Sequence, residues 1–409
     1  MTTSSLRTSG DLRSLVFVGA YSAVLYSVLL IAPVIAGKLI AEFELTPTQV
    51  GLVFSLELGA FSLATVPAYL WLRRANLKYV TIGCTLAVAA GNAVSGMVDA
   101  YPALLAARFF TALAAGSITV ILLSRCSRAG NPSRAFGVFV VAQLAMGALI
   151  LAVFPVLFAG VGVAAVYWTL AVLVLCCLPA ARLLDGDFLR RAASEQAGAP
   201  TAGQHASRVG FALALAALFA FYVALSGTWT FMAQIATAAG IGEDPTSLVL
   251  AIATVAGIAS ALFASIRGDT PHRWAYLAGG YAAMGLAVAL LAGGPGLLRF
   301  ALAAVVFKFA WTFILPYLLS TLADVGGGGG HVMNTSNLMI GSGFALGPLL
   351  GGALIEGTGG FGTMIAVSVL GVVLSGALVL WAHPRRGRGG HDDAPPAADA
   401  VSAGGQRVP

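Results

Sequence analysis

The stretch AFGVFVVAQLAMGALILAVFPVLF, which runs from Ala135 to Phe158, contains no Asp, Glu, Lys or Arg. A helix needs about 20 apolar residues to cross the hydrocarbon core of a bilayer, and this stretch is long enough. Arg134 precedes it, and Gly160 and Gly162 follow it. It therefore predicts one helix that crosses a membrane.

Similar stretches lie on both sides of this one, and together they predict twelve membrane-spanning helices, here called spans 1 to 12. Their predicted bounds are Leu15–Ala36, Thr48–Trp71, Tyr79–Val98, Ala103–Ser124, Ala135–Phe158, Val163–Leu183, Phe211–Ala236, Thr246–Ile266, Trp274–Leu291, Leu297–Leu322, Asn334–Ile355 and Thr363–Trp381. The prediction is an all-α polytopic membrane protein with two six-helix bundles, residues 12–184 and residues 210–383. A polar cytoplasmic loop, residues 185–209, joins the bundles. Residues 1–11 precede them, and a tail of residues 384–409 has a composition that predicts disorder.

The composition agrees with a lipid-facing surface. The hydrophobic fraction is 59% and the charged fraction is 9%, whereas a soluble domain carries about 25% charged residues. The basic residues are scattered between apolar runs, which excludes a nucleic-acid-binding stripe. The four cysteines and five histidines have no metal-ligand spacing. No P-loop, HExxH or GxSxG motif occurs, so we expect neither an enzyme nor a cofactor.

The Lys and Arg residues predict the orientation of the spans. With the N-terminus in the cytoplasm, all 22 Lys and Arg residues except Lys38, Arg108, Arg299 and Lys308 fall in cytoplasmic segments. Basic residues concentrate in such segments because they are difficult to translocate. The opposite loops carry the acidic residues Glu42, Glu44, Asp99, Glu243 and Asp244. We therefore expect a multi-pass protein of the plasma or inner membrane with both termini in the cytoplasm.

Three motifs carry a resemblance to a known family. The sequence reads LTPTQVG from Leu45 to Gly51, RFFTALAAG from Arg108 to Gly116, and GFALGPLLGG from Gly343 to Gly352. With the six-plus-six layout and the central loop, these motifs resemble the Major Facilitator Superfamily from about Leu12 to His383. The chain departs from the family pattern between Ala68 and Lys78, where the usual acidic residue and glycine are missing.

The resemblance implies transport by alternating access, in which two bundles rock around a binding site near the middle of the membrane. It also implies that spans 1, 4, 7 and 10 line a central cavity. The expected partners are a small-molecule solute, protons and the lipid bilayer, and we expect a monomer.

Lys308 is the main candidate for binding the solute. It lies near the middle of span 10, where a charged side chain costs a few kcal/mol and usually faces an aqueous cavity. Trp311 and Thr312 follow at the i+3 and i+4 positions, so they share its helix face. The alternative is a structural lysine paired with a buried acid or with backbone carbonyls.

The other candidates lie on the remaining three cavity-lining spans. Tyr222 and Trp229 share one face of span 7, Tyr26 lies on span 1, and Arg108 lies on span 4. Aromatic residues also pack between helices and form belts at the membrane surface. The occurrence of these candidates together on the cavity-lining spans is therefore stronger evidence for a site than any one of them. Three amides, Asn92, Gln143 and Gln234, are expected to form hydrogen bonds between helices.

Glu57 in span 2 has two interpretations. A carboxylate inside the membrane can load and release a proton, which makes Glu57 a candidate for proton coupling. Alternatively, it can form a structural ion pair within the first bundle, for example with Arg108. The sequence does not distinguish the two.

The predicted function is a secondary active transporter for a small organic solute that is proton-coupled. The balance of Lys308 and Arg108 against Glu57 favours an anionic or aromatic solute. One alternative is a proton-linked multidrug exporter of the same fold, with Glu57 as its central acid. Another is a non-transporting membrane receptor or lipid-handling protein.

Overall fold

The computed structural model describes residues 3–72, 74–158, 160–186, 208–267, 272–326 and 330–382. Most of the central loop and the whole tail lie outside these ranges. The predicted bundle boundaries and the predicted disorder of residues 384–409 therefore stay predictions. Every regular element within the described ranges is a helix.

Each predicted span coincides with one helix or with a short series of helices. The helices are Thr3–Leu25, Ser27–Leu30 and Ala32–Phe43 in span 1; Pro47–Leu63 and Thr65–Trp71 in span 2; Leu77–Ser95; Tyr101–Ser127; Pro132–Phe158; Val163–Cys176 and Leu178–Ala181 in span 6; Arg208–Thr230 and Met232–Ala238 in span 7; Glu243–Arg267; Arg273–Ala289; Leu297–Gly326; Gly330–Thr358; and Phe361–Ala382. The predicted fold class, an all-α polytopic protein with two six-helix bundles, is confirmed.

Ten of the described helical segments are long and apolar enough to cross a membrane by themselves. The remaining two correspond to spans 1 and 9. The helix of span 9, Arg273–Ala289, has 17 residues and is slightly short. Span 1 is divided at Tyr26 and Ile31, so none of its pieces combines the required length with apolar composition.

Proline chemistry explains the second break in span 1. Pro33 lies in the first turn of the helix Ala32–Phe43, where its missing N–H is tolerated. In a continuous helix that N–H would donate to the carbonyl of Leu29, four residues earlier. The carbonyl oxygen of Leu29 is therefore available to a donor from another helix.

The helices pack into two groups that follow the chain order. In the first group, span 1 packs on span 5, span 2 on span 4, and span 3 on spans 4 and 6. In the second group, span 7 packs on spans 11 and 12, and span 10 packs on spans 8 and 9. The groups meet mainly where span 2 packs on span 11 and where span 5 packs on span 8.

Small residues allow spans 2 and 11 to approach closely. A Cβ atom added at Gly51 would overlap the backbone carbonyl of Pro348, and one added at Gly352 would overlap that of Pro47. The backbone N–H of Leu349 donates to Ser55 Oγ at 2.9 Å across this contact. Such close backbone approach is the usual way in which membrane helices associate.

The two ends of the helix bundle differ in charge. One end, here called the basic end, carries Arg74, Arg125, Arg134, Arg182, Arg208 and Arg273. The other, here called the acidic end, carries Glu42, Asp99, Glu243 and Asp244. Contacts between loops support this grouping: Leu77 N–H donates to Gly186 O at the basic end, and Val163 N–H donates to the Glu42 carboxylate at the acidic end.

Candidate functional site

A cavity of about 740 Å³ lies between the two groups of helices. Its lining includes Leu30, Glu57, Arg108 and Lys308 within the helices, and it extends toward the basic end as far as Leu72, Ser127 and Leu319. Ser127 is exposed at the end of its helix. The cavity therefore opens toward the basic end, and most of its lining is apolar.

Four hydrogen bonds between described residues of the two helix groups help to close the cavity toward the acidic end, and they are here called the acidic-end seal. The donor and acceptor pairs are Trp229 Nε1 to Leu29 O at 2.9 Å, Gln234 Nε2 to Pro33 O at 3.0 Å, Leu349 N to Ser55 Oγ at 2.9 Å, and Thr48 N to Glu356 Oε2 at 3.2 Å. Each joins a residue of spans 1 or 2 to a residue of spans 7 or 11. The protein is therefore in a conformation with access from the basic end.

Lys308 lines the closed end of the cavity, and its side chain has an exposed fraction of 0%. The ammonium lies 3.8 Å from the ring centroid of Trp229 and 3.8 Å from that of Trp311. Nζ has no hydrogen-bond acceptor, and no ion pair with a carboxylate is present among the described residues. A desolvated cation–π contact contributes about 2 kcal/mol, whereas burial of an ion costs several kcal/mol. The two rings therefore compensate the charge only in part.

Trp229 does not line the cavity, in contrast to the other residues predicted for the site. Its side chain is fully buried behind Lys308, and its ring stacks on Phe307 with 6.3 Å between centroids. Its indole N–H belongs to the acidic-end seal. Trp229 therefore contacts Lys308 on one side and span 1 on the other.

The other aromatic candidates form the walls of the cavity. Tyr26 packs edge-on against Phe61 and Phe139, with centroid distances of 5.2 and 5.4 Å. Tyr222 packs against Phe344 at 4.7 Å. Trp311, Tyr26 and Tyr222 all line the cavity, so the structure brings these residues together around one space.

Thr312 also lines the cavity, but its hydroxyl has partners in the protein. Its Oγ1 donates to Gly257 O at 2.9 Å and lies 3.1 Å from Lys308 O. The first contact joins span 10 to span 8. The hydroxyl thus holds the Lys308 segment against its neighbour.

Arg108 and Glu57 form a buried ion pair in the first group of helices. The Arg108 guanidinium donates from Nε to Glu57 Oε2 at 3.2 Å and from Nη2 to Glu57 Oε1. Its Nη1 donates to Asn92 Oδ1 at 2.8 Å and to Ser95 Oγ at 3.4 Å, and the Tyr167 ring covers it at 4.8 Å. Both carboxylate oxygens and most of the guanidinium donors therefore have partners.

The predicted interhelical role of the amides holds for two of the three. Asn92 accepts from Arg108 across spans 3 and 4, and Gln234 donates to span 1. Gln143 lines the cavity, as Asn92 does, and its hydrogen bond stays a prediction. Sequence reasoning also missed Asn337 and Phe344 of span 11 as lining residues. A single amide in an apolar span was the available signal for Asn337, but span 11 was not expected to face the cavity.

Comparison with known proteins gives a family match and a set of structural relatives. The sequence model of the Major Facilitator Superfamily matches residues 16–333. No curated protein matches the chain. Among solved structures, the nucleoside transporter NupG has 17% sequence identity and a TM-score of 0.64, covering 92% of this chain and 98% of its own.

Two further structures share the fold. The human organic anion transporter MFSD10 has 17% identity and a TM-score of 0.61, covering 89% of this chain and 99% of its own. The POT family transporter PepTSo has 12% identity and a TM-score of 0.68, covering 91% of this chain and 98% of its own. At these identities the likeness describes the fold alone. The family match covers most of the chain, and the protein therefore belongs to the Major Facilitator Superfamily.

Proposed function

We propose that this protein is a secondary active transporter that moves a small organic anion, with an aromatic or other apolar body, by alternating access. Membership of the family implies a transporter. Proton coupling and a monomeric state belong to the same proposal. The anionic substrate rests on one observation, which is the incompletely compensated charge of Lys308 at the closed end of the cavity.

The charge balance of the cavity supports an anion. Arg108 and Glu57 neutralise each other within the first group of helices, so Lys308 remains as the cation without a carboxylate partner among the described residues. A carboxylate that reaches Nζ would replace weak ring contacts with a charge-assisted hydrogen bond, which is about twice as strong as a neutral one. The aromatic walls supply the contact surface for an apolar body.

The multidrug-exporter alternative has less support. It needs an acid that is free to meet a cationic drug or a proton, whereas both oxygens of Glu57 accept hydrogen bonds from Arg108. The apolar lining of the cavity would suit a hydrophobic drug, so this alternative belongs in the same experiment.

We infer the orientation from the charge of the two ends. The basic end is expected to face the cytoplasm, because Lys and Arg concentrate in cytoplasmic loops. Both termini then lie in the cytoplasm, and the cavity is in an inward-open state. The acidic-end seal is the contact that must break for access from the outside.

The test is the initial rate of uptake into proteoliposomes with and without an inside-alkaline pH gradient, after subtraction of the rate in protein-free liposomes, because weak acids and tetraphenylphosphonium also cross a lipid bilayer unaided. The panel contains benzoate and indole-3-acetate as aromatic anions, uridine as a neutral solute, and tetraphenylphosphonium as a lipophilic cation. We expect the aromatic anions to be accumulated and Lys308→Ala to reduce that uptake at least 100-fold, because the variant loses the charge that binds the carboxylate.

Lys38→Ala is the matched control, since the Lys38 ammonium donates to Val161 O outside the cavity. It should retain uptake. Accumulation of the cation in place of the anions would favour the exporter, and no flux of any probe would favour a receptor or lipid-handling protein. Uptake that survives Lys308→Ala would contradict the role of this lysine.

A further inference from the structure

Trp229 occupies a position that the proposed function leaves unexplained. Its side chain is fully buried and does not line the cavity, so the solute does not touch it in this conformation. One face of its ring lies 3.8 Å from Lys308 Nζ. Its N–H donates to the Leu29 carbonyl in the other group of helices at 2.9 Å. A single rigid side chain thus contacts both the cation of the site and the acidic-end seal.

The acceptor of this hydrogen bond exists because of Pro33. A proline has no N–H to donate to the carbonyl four residues earlier, so Leu29 O lacks its usual helical partner. A backbone carbonyl without a partner in a membrane protein costs several kcal/mol unless another donor satisfies it. Trp229 supplies that donor from span 7, while Gln234 of the same span donates to Pro33 O at 3.0 Å.

We propose that Trp229 is a positioning residue that couples occupancy of Lys308 to opening of the acidic-end seal; this inference rests on the proposed function. In the conformation described here, the ammonium holds the indole beside Phe307 and Trp311, with its N–H directed at Leu29. A bound anion draws the ammonium toward the cavity, and the ring loses its cation. The hydrogen bond to Leu29 then weakens, and the seal opens more readily when the site is filled.

The experiment measures opening of the seal without any solute. Ala236 is fully buried in the helix Met232–Ala238, which packs on span 1 at the acidic end. In a background with the four native cysteines replaced by alanine, Ala236→Cys reports opening through its rate of reaction with a membrane-impermeant maleimide added to washed right-side-out membrane vesicles that contain no organic solute. Labelling rates are compared among variants that insert into the membrane at equal amounts.

Two variants weaken the same hydrogen bond from opposite sides, because one removes its donor and the other gives its acceptor a competing backbone donor. Trp229→Phe keeps an aromatic ring near Lys308 but removes the N–H, and Pro33→Ala gives Leu29 O a backbone donor without touching the ring. Both should raise the labelling rate about five-fold, which corresponds to a typical hydrogen bond. Trp168→Phe is the matched control, because Trp168 Nε1 donates to Ala93 O at 3.3 Å within the first group of helices; its labelling rate should not change.

The coupling itself is tested by a double-mutant cycle. Lys308→Met alone should raise labelling, because the indole loses its cation, but it should add nothing to Trp229→Phe. Unchanged labelling rates in both Trp229→Phe and Pro33→Ala would overturn the inference. So would a double variant Lys308→Met/Trp229→Phe whose labelling rate is raised by the product of the two single effects. Because no solute is present, these failures are separate from a failure of the proposed function, which would show as absent anion uptake.

Discussion

The cavity contains two buried charged sites that differ in how their charge is compensated. Arg108 in the first group of helices has a carboxylate, an amide, a hydroxyl and an aromatic ring around it. Lys308 in the second group has two aromatic rings and, among the residues that the structure describes, no hydrogen-bond acceptor. A fully paired charge stabilises one arrangement of its helices. An incompletely compensated charge is stabilised further when an anionic ligand binds to it. The degree of compensation therefore distinguishes a structural site from a candidate binding site.

The largest expected effect comes from breaking the paired site. Arg108→Met should destabilise the protein by about 3–5 kcal/mol, because it leaves the Glu57 carboxylate buried without its partner. The measurement is the apparent melting temperature of the detergent-purified protein. The double variant Arg108→Met/Glu57→Leu should recover most of the loss, since apolar residues of similar size can replace a buried pair. A single variant as stable as the parent would show that the pair is not structural.

Glu57→Gln tests the same pair from its other side and should have a smaller effect on stability, about 2 kcal/mol, because the amide oxygen can still accept a hydrogen bond from Arg108. The ion-pair interpretation predicts that anion uptake per folded protein still responds to the pH gradient. The measurement is uptake into proteoliposomes with and without that gradient. Uptake that becomes independent of the gradient would instead identify Glu57 as the proton carrier.

Lys308→Met should change the stability of the empty protein by no more than about 1 kcal/mol. It removes two cation–π contacts, but it also removes an unpaired charge from an apolar site. The measurement compares the melting temperatures of Lys308→Met and Arg108→Met in the same detergent. Destabilisation as large as that of Arg108→Met would mean that Lys308 has a structural partner.

The smallest expected effect concerns the placement of Lys308. A Cβ added at Gly257 would lie 3.2 Å from Lys308 Cγ, so Gly257→Ala should shift the lysine stem by a few tenths of an ångström. We expect a two- to five-fold loss of affinity for the proposed anion. The destabilisation should be less than about 1 kcal/mol, because the helix propensity gained by alanine offsets part of the crowding. Gly83→Ala is the control, because a Cβ there meets nothing within 4 Å. Equal affinities in both variants would show that the lysine position is not restricted by span 8.

The position of Lys308 in its helix could be predicted from the sequence. The absence of a carboxylate partner in the described part of the chain could not. The i+3 and i+4 spacing places Trp311 and Thr312 beside Lys308, because side chains three and four residues apart share a helix face. The second ring, from Trp229, comes from a different helix, Arg208–Thr230. No local pattern records which side chains meet from such distant segments.

The sequence by itself determined the membrane character, the twelve helical spans and the family. These follow from properties that a local window contains, namely apolar length, the distribution of Lys and Arg, and short motifs. The tertiary structure alone decided that Arg108 and Glu57 are paired, that Trp229 lies behind Lys308, and that the cavity is closed at the acidic end. The physical reason is that compensation of a buried charge depends on atoms within a few ångströms, and packing of distant helices decides which atoms those are.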